Sequence, residues 1–360
     1  MDTNLPNNMR FIKYINLLLK KILFMVCVNW MGIISLWKFC LSLIKELLFF
    51  TSDKDSMDAS IIIPTFNRKD VLRKCLQALD KQKISHPYEI ILVDDGSSDG
   101  TRESVEELQK SLSIPLTFLR QKKKGPAAAR NLGIKNCSGK ILLIIGDDII
   151  ATPNLVKEHV DWHSNRYPQN NAAILGFASW SPQIEVTPFM SWLEKGGWQF
   201  PYGEIEGKTE IDWKYLMTPN ISFKREFLIQ NHLFFDERFP YAALEDYEFG
   251  FRFFQKGGTL FYNPDAVGYH WHHTNLDSAC QRMFCVGESA KILQKIAPQL
   301  TPYKISWRKY IYKFHLSRLV IKKLLVPMAM FIEKRAIFHY LYSTILFFYF
   351  LKGLSEGRED

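Results

Sequence analysis

From Ser60 to Phe177, short apolar runs alternate with amphipathic stretches, and this alternation constrains the fold more than any other feature of the chain. Ser60 to Pro64 precedes Lys69 to Asp80, and Glu89 to Val93 precedes Thr101 to Ser111. Leu116 to Leu119 precedes Ala127 to Lys135, and Lys140 to Ile145 precedes Asn154 to Asn165, with Ala172 to Phe177 as a further run. Apolar runs of this length, each followed by a helical pattern, read as strands covered on both faces. They predict an α/β protein with a mostly parallel sheet flanked by helices. Ligands of such sheets bind beyond the carboxyl ends of the strands, so the residues after each run are the candidates for chemistry. Beyond Ala178 the pattern is irregular to about Lys214, with scattered Pro, Gly and Trp, which suggests a substrate-facing insertion.

The ends of the chain have a different texture. The polar stretch Thr51 to Asp58 separates an apolar arm, residues 1–57, from the α/β region, residues 58–300, and a basic and apolar segment, 301–360, follows. Ile22 to Trp37 and Ala336 to Leu351 are both uncharged and lie near Lys and Arg residues. Each is short for a helix crossing the roughly 30 Å hydrocarbon layer, but aromatic-rich runs beside basic residues suit a membrane interface. The alternative is two helices buried against the core. The net charge of +9 divides into +4 for residues 1–50, +7 for 301–360 and −2 for the region between. A core of that sign argues against nucleic-acid binding, and the basic ends predict contact with an anionic membrane surface, on its cytoplasmic face. The six cysteines form no CxxC pair, so neither a zinc knuckle nor a disulfide framework is expected.

The first strand runs into Pro64-Thr65-Phe66-Asn67-Arg68 without the glycines of a dinucleotide-binding turn. The second ends in Asp94-Asp95-Gly96-Ser97-Ser98-Asp99-Gly100-Thr101. Its carboxylates could accept hydrogen bonds from a nucleobase or a ribose, or the segment could be a turn that caps the next helix. Gly125 to Gly133 opens a helix with small residues and places Arg130 in its first turns, where an anion is favoured. The strand Ile141 to Ile145 runs into Gly146-Asp147-Asp148, and adjacent carboxylates there suit Mg²⁺ or Mn²⁺, or else a solvated turn. Glu245-Asp246 forms a second acidic pair, and a strand-like run reaches His270-Trp271-His272-His273, with His270 and His272 on one face if that run is a strand. Trp192, Trp198, Trp213 and Tyr202 are candidate sugar platforms or core residues.

Taken in register from Ala59 to about Leu293, these motifs resemble the family 2 glycosyltransferases of GT-A fold. The resemblance rests on PTFNR, VDDGSSDGT, GPAAARNLG, the GDD turn, TPNISFKREFL with FDERF, LEDYEFGFR and the histidine cluster. It implies a nucleotide-sugar donor, usually a UDP-sugar. The donor set would be Pro64, Thr65, Asn67, Asp94, Asp95, Arg130 and Asp147, with Thr65 and Asp95 near the base. Asp148, with Asp147 and His270, would hold Mg²⁺ or Mn²⁺. The Glu245-Asp246 pair would contain the general base, Asp246 being chosen, and a glycan or lipid-linked hydroxyl would attack with inversion. Ile145 departs from the resemblance, because such enzymes commonly carry an acidic residue at that position. Two rival readings predict different products: a non-catalytic scaffold or nucleotide-binding protein of the same fold turns over no donor, and a metal-dependent nucleotidyltransferase releases pyrophosphate.

Overall fold

The structure is a computed structural model that describes residues 57–196, 199–301 and 339–356. The chain divides into two compact units between Ser56 and Met57, and all the described residues belong to the unit that begins at Met57.

Nine strands form one mixed sheet in the order β3-β2-β1-β4-β8-β6-β9-β5, with β7 paired to β9. Its first half is the expected parallel array of β1 (Ala59–Thr65), β2 (Tyr88–Asp94), β3 (Leu116–Arg120) and β4 (Ile141–Ile145). Ile61, Ile62 and Ile63 of β1 and all five residues of β4 are buried, as strands covered on both faces require. The covering helices carry apolar residues at helical spacing. In α1 (Lys69–Leu79), Leu72, Cys75, Leu76 and Leu79 face the sheet. The helices α2 (Thr101–Gln109) and α3 (Pro126–Lys135) follow β2 and β3.

The second half is mixed. A three-residue strand, β5 (Ile149–Ala151), leads to α4 (Leu155–Asp161), which continues as one π-helical turn to Arg166. Next come β6 (Ala172–Trp180), α5 (Pro188–Lys195), β7 (Glu210–Ile211), β8 (Asn220–Lys224) and α6 (Arg225–Gln230). The chain then forms α7 (Glu245–Gln255), β9 (Thr259–His270) and α8 (Leu276–Ile296). Because β8 runs antiparallel to both β4 and β6, and β9 parallel to β6, the ends of β1, β2, β4, β6 and β9 share one edge of the sheet.

No described helix is long and apolar enough to cross a membrane. Residues of α9 (His339–Glu356) pack on α8 and α5, with Tyr342, Ile345 and Leu346 in one cluster with Phe189, Trp192, Leu276 and Cys280. Gly287 of α8 and Gly353 of α9 sit at the crossing. A Cβ on either would overlap the partner backbone at Phe350 or Phe284, so the two helices approach through hydrogen-only faces. The described part of the C-terminal apolar run thus supplies a helix–helix contact. Ile22 to Trp37 and the basic residues 302–338 lie outside the described residues.

Candidate active site

The site grows from the turns that end β1, β2 and β4. Thr65 Oγ1, at the end of β1, donates to Asp147 Oδ2 at 2.8 Å. Arg68 Nη1 reaches Asp147 Oδ1 at 3.1 Å and Asp148 Oδ2 at 2.6 Å, so one guanidinium bridges both carboxylates. The pairing of β5 with β9 sets His270 opposite Ile149, and Trp271 N donates to the Asp148 carbonyl at 2.7 Å. That register brings His270 Nε2 to 3.6 Å from Asp148 Oδ1. Burial and then the charge of Asp148 push the Asp147 carboxyl up to about 6. Burial opposes ionisation of Asp148 as well, but His270 and Arg68 outweigh it and hold that carboxyl below its usual range. Burial lowers the pKa of His270, which favours the neutral ring.

β9 stops at His270, so His272 lies beyond the strand and the period-two argument does not apply to it. The two rings nonetheless approach to 6.1 Å between centroids. Ile145 is fully buried at the end of β4 and pairs with Asn220, so its position belongs to the core.

The β2 turn is largely self-contained. Asp94 Oδ1 accepts from Ser97 N at 2.8 Å, and its other oxygen lies 3.3 Å from Arg120 Nε. Asp95 accepts from Lys124 N and Gly125 N, both at 2.8 Å, and from Gln121 Nε2 at 2.7 Å, which ties β2 to the loop that opens α3. Gly125 is required there: its φ is +96°, and a Cβ would lie 2.9 Å from the Pro240 carbonyl oxygen. Asn67, in the left-handed region at φ 52°, donates from its N–H to Ser97 Oγ and accepts from Ser98 N, locking the β1 and β2 turns together. Pro64 is half-buried opposite Val93. Asp99 accepts from Lys69 N and Thr101 N, the first residues of α1 and α2, while the N-cap position of α2 itself is Gly100.

The second acidic pair stands at the start of α7. Glu245 is buried and its Oε1 meets Arg130 Nη1 at 2.6 Å, so the Arg130 guanidinium is committed to a carboxylate 115 residues away. Asp246 is only half-buried, and its one described hydrogen bond is to Tyr247 N at 2.9 Å. Burial, then the neighbouring Glu245, push its pKa up to about 7. Leu244, just before the pair, has a φ of +67°, a conformation that costs a branched residue about 1–2 kcal/mol and sets the direction in which the helix starts.

Two cations escaped the sequence reading. Arg68 closes the PTFNR turn, but nothing in that string announces its reach to Asp147 and Asp148. Arg282, exposed on α8, lies within electrostatic range of Asp246, His270 and His272 and so joins the two acidic clusters in one field. Of the aromatic candidates, Trp192 packs with Phe189 and Tyr342, Trp213 packs on Tyr247 and Phe251, Tyr202 is buried against Phe177, and Trp198 lies outside the described residues.

Among the described residues no three or more His, Cys, Asp or Glu side chains form a ready-made metal cage. Asp147, Asp148 and His270 are nonetheless a buried, mostly hard donor set whose negative charge already attracts a cation. The His270 Nδ1 atom is buried without a partner. Such a set fits Mg²⁺ or Mn²⁺ when substrate oxygens supply the remaining ligands.

A sheet of this topology, with an acidic pair after β4 and a second acidic pair at the start of a facing helix, defines a glycosyltransferase of GT-A type. Residues 60–229, a little under half of the chain, match the family described as Glycosyl transferase family 2, and the chain resembles that family. It is 28% identical to an uncharacterized glycosyltransferase, YfnE, of Bacillus subtilis, over 60% of this chain and 65% of that protein. It is 25% identical to a chondroitin synthase of Escherichia coli, over 74% of this chain but only 42% of that protein. The chain thus spans less than two thirds of the length of either relative. A mannosyltransferase from Pyrobaculum calidifontis, solved with GDP-Man and Mn²⁺, shares the fold with a TM-score of 0.56 at 16% identity, covering 87% of this chain and 95% of that one.

Proposed function

We propose that the protein transfers a sugar, with inversion, from a nucleotide-sugar, a UDP-sugar in the first instance, to a hydroxyl of a glycan or lipid-linked acceptor. The work is placed at the cytoplasmic face of the cell membrane, a location supported by the basic, apolar ends of the chain. The observation that carries the reading is Asp246: a half-buried carboxylate with one backbone partner and a pKa near the operating pH, at the start of a helix whose other acid is neutralised. A general base is most effective when its pKa lies near the working pH.

In this mechanism Asp246 accepts the proton of the acceptor hydroxyl as that oxygen attacks the anomeric carbon and the bond to the diphosphate breaks on the opposite face. Glu245, held by Arg130, keeps negative charge beside Asp246 and raises its basicity. Asp147, Asp148 and His270 would hold Mg²⁺ or Mn²⁺, whose chemistry is to offset the charge of the departing diphosphate. Thr65 and Arg68 orient Asp147 and Asp148 for that task. Arg282 adds a positive charge on the side of the site facing Asp246. The Mn²⁺ and GDP-Man named for the archaeal mannosyltransferase and the product named for the chondroitin synthase support a nucleotide-sugar donor and a glycan acceptor.

The test is release of nucleoside diphosphate from a panel of nucleotide-sugars by the purified full chain. Asp246→Asn should lower transfer by roughly 10² to 10⁴ while leaving donor affinity intact. Near-normal transfer by both Asp246→Asn and Glu245→Gln would overturn the mechanism, and release of pyrophosphate would replace it with nucleotidyl transfer.

A further inference from the structure

We infer that the cavity walled by Phe177, Phe200, Tyr202 and Tyr262 is an acceptor subsite that holds uncharged sugar units of a glycan chain behind its reacting end. The inference rests on the transferase reading of the neighbouring site. The cavity has a volume of about 910 Å³, in the upper part of the roughly 300–1,000 Å³ range of small-molecule sites. It is separate from the Asp147-Asp148 turn but shares a wall with it. The Phe200 ring lines the cavity and also packs on His270, 5.4 Å between centroids, with Trp180 against both rings. A chain whose end lies near His270 and Asp246 would therefore have its next units beside this opening.

The lining suits sugars. Tyr202 is pinned by its hydroxyl to the Gly176 carbonyl at 2.9 Å, and its ring lies 5.0 Å from Phe177 and 5.6 Å from Tyr262. Rigid aromatic surfaces of this kind cover the C–H faces of a pyranose at little entropic cost. Tyr262 lines the cavity and is 7% exposed, and its hydroxyl is not among the buried polar atoms without a partner, so the oxygen stands open to the cavity. A hydroxyl open to a cavity in this way can donate to or accept from a ligand that enters it. Glu206 and Asp265 stand close enough to raise its pKa, after burial, to about 12, so it remains a neutral donor and acceptor.

The charges decide the class of ligand. Glu194, Glu204, Glu206 and Asp265 face Arg166, Lys195 and Lys208 around the cavity. Four carboxylates against three cations give no excess of positive charge for a diphosphate, a uronate or a second nucleotide. They do give a rim of hydrogen-bonding groups around an aromatic floor, which is the chemistry of a neutral saccharide.

The experiment uses the full chain, fluorescently labelled, on an array of printed oligosaccharides that includes neutral, sulfated and uronate-containing members, without donor. Wild type should bind neutral oligosaccharides, and Tyr262→Phe and Phe177→Ala should each weaken that binding several-fold. Donor hydrolysis by both variants should match wild type, which shows that they fold. In transfer assays the variants should raise KM for oligosaccharide acceptors, leave kcat unchanged and leave a monosaccharide acceptor unaffected. No glycan binding by wild type, binding only to charged glycans, or variants that bind as wild type would each overturn the subsite. Failure of donor turnover together with intact, Tyr262-dependent glycan binding would instead remove the transferase reading and leave a glycan-binding cavity.

Discussion

Replacing Arg130 by Met tests whether the buried ion pair organises the second acidic cluster. Arg130 and Glu245 side chains are 7% and 1% exposed, and they meet through a single N–O contact of 2.6 Å. Arg130 Nε and Glu245 Oε2 are both buried without partners, so the pair lacks the second, parallel hydrogen bond of a bidentate arrangement. Its attraction therefore does little more than offset the cost of burying two charges. Removing one partner is another matter, because an uncompensated carboxylate is then left in the interior. Breaking a buried pair typically costs about 3–5 kcal/mol, whereas replacing both members with apolar groups is often neutral. Arg130→Met should thus lower the melting temperature by roughly 6–20 °C at about 2–4 °C per kcal/mol. The double variant Arg130→Met/Glu245→Leu should recover most of that loss. The exposed pair Arg102–Glu106, with both side chains 56% exposed, serves as the control, and its removal should leave the midpoint unchanged. Thermal and urea unfolding of the full chain provide the assay. A single variant within about 1 kcal/mol of wild type, or a double variant as unstable as the sum of its parts, would refute the reasoning.

Three other outcomes are expected of the titrating groups. Burial lowers the pKa of His159 to about 4 and that of His163 well below its ordinary value, so the folded state binds fewer protons than the unfolded chain. Their contribution is complete above about pH 6.5 and is lost as pH falls towards 4, about 3 kcal/mol in full for His159 alone and about 2 kcal/mol of it by pH 5, which urea unfolding at about pH 7.5 and pH 5 will read. Glu245→Gln removes the second cause of the raised Asp246 pKa, burial being the first, so the acid limb of the pH–rate profile should move to lower pH; an unmoved limb would detach that limb from Asp246. Asp148→Ala should abolish the stabilisation that Mn²⁺ confers on the complex with UDP in thermal melts, and chelator should do the same to wild type, whereas stabilisation surviving both would assign diphosphate binding to cations such as Arg68.

The parallel half of the sheet was legible because its central strands carry unbroken apolar runs, and strands covered on both faces accommodate Ile61 to Ile63 and Ile141 to Ile145. The acidic turns were legible for the related reason that charge must leave the sheet where the apolar run ends. What was not legible depends on contacts between distant segments. The approach of His270 to Asp148 rests on β5, whose three residues are too few to show a period. The Arg130–Glu245 pair joins helices 115 residues apart, and its members looked like a donor ligand and a catalytic acid. The packing of the C-terminal apolar run on α8 and α5 was not legible either, because composition does not distinguish lipid from a neighbouring helix. The small residues Gly287 and Gly353 mark the protein partner only once α8 and α9 are set side by side.

In two of the three acidic pairs the backbone sends two chemically similar carboxylates to different places. Successive residues at a strand end point to opposite sides, and successive residues at a helix start are rotated by about 100°. Asp94 therefore closes its own turn on Ser97 while Asp95 reaches the Gly125 loop, and Glu245 meets Arg130 while Asp246 keeps only a backbone partner. The Asp147-Asp148 pair escapes this division because Arg68 draws both side chains to one point. That convergence sets it apart as a cation site, since two carboxylates held together in the interior repel unless positive charge stands between them. The guanidinium meets that need when no other cation is present.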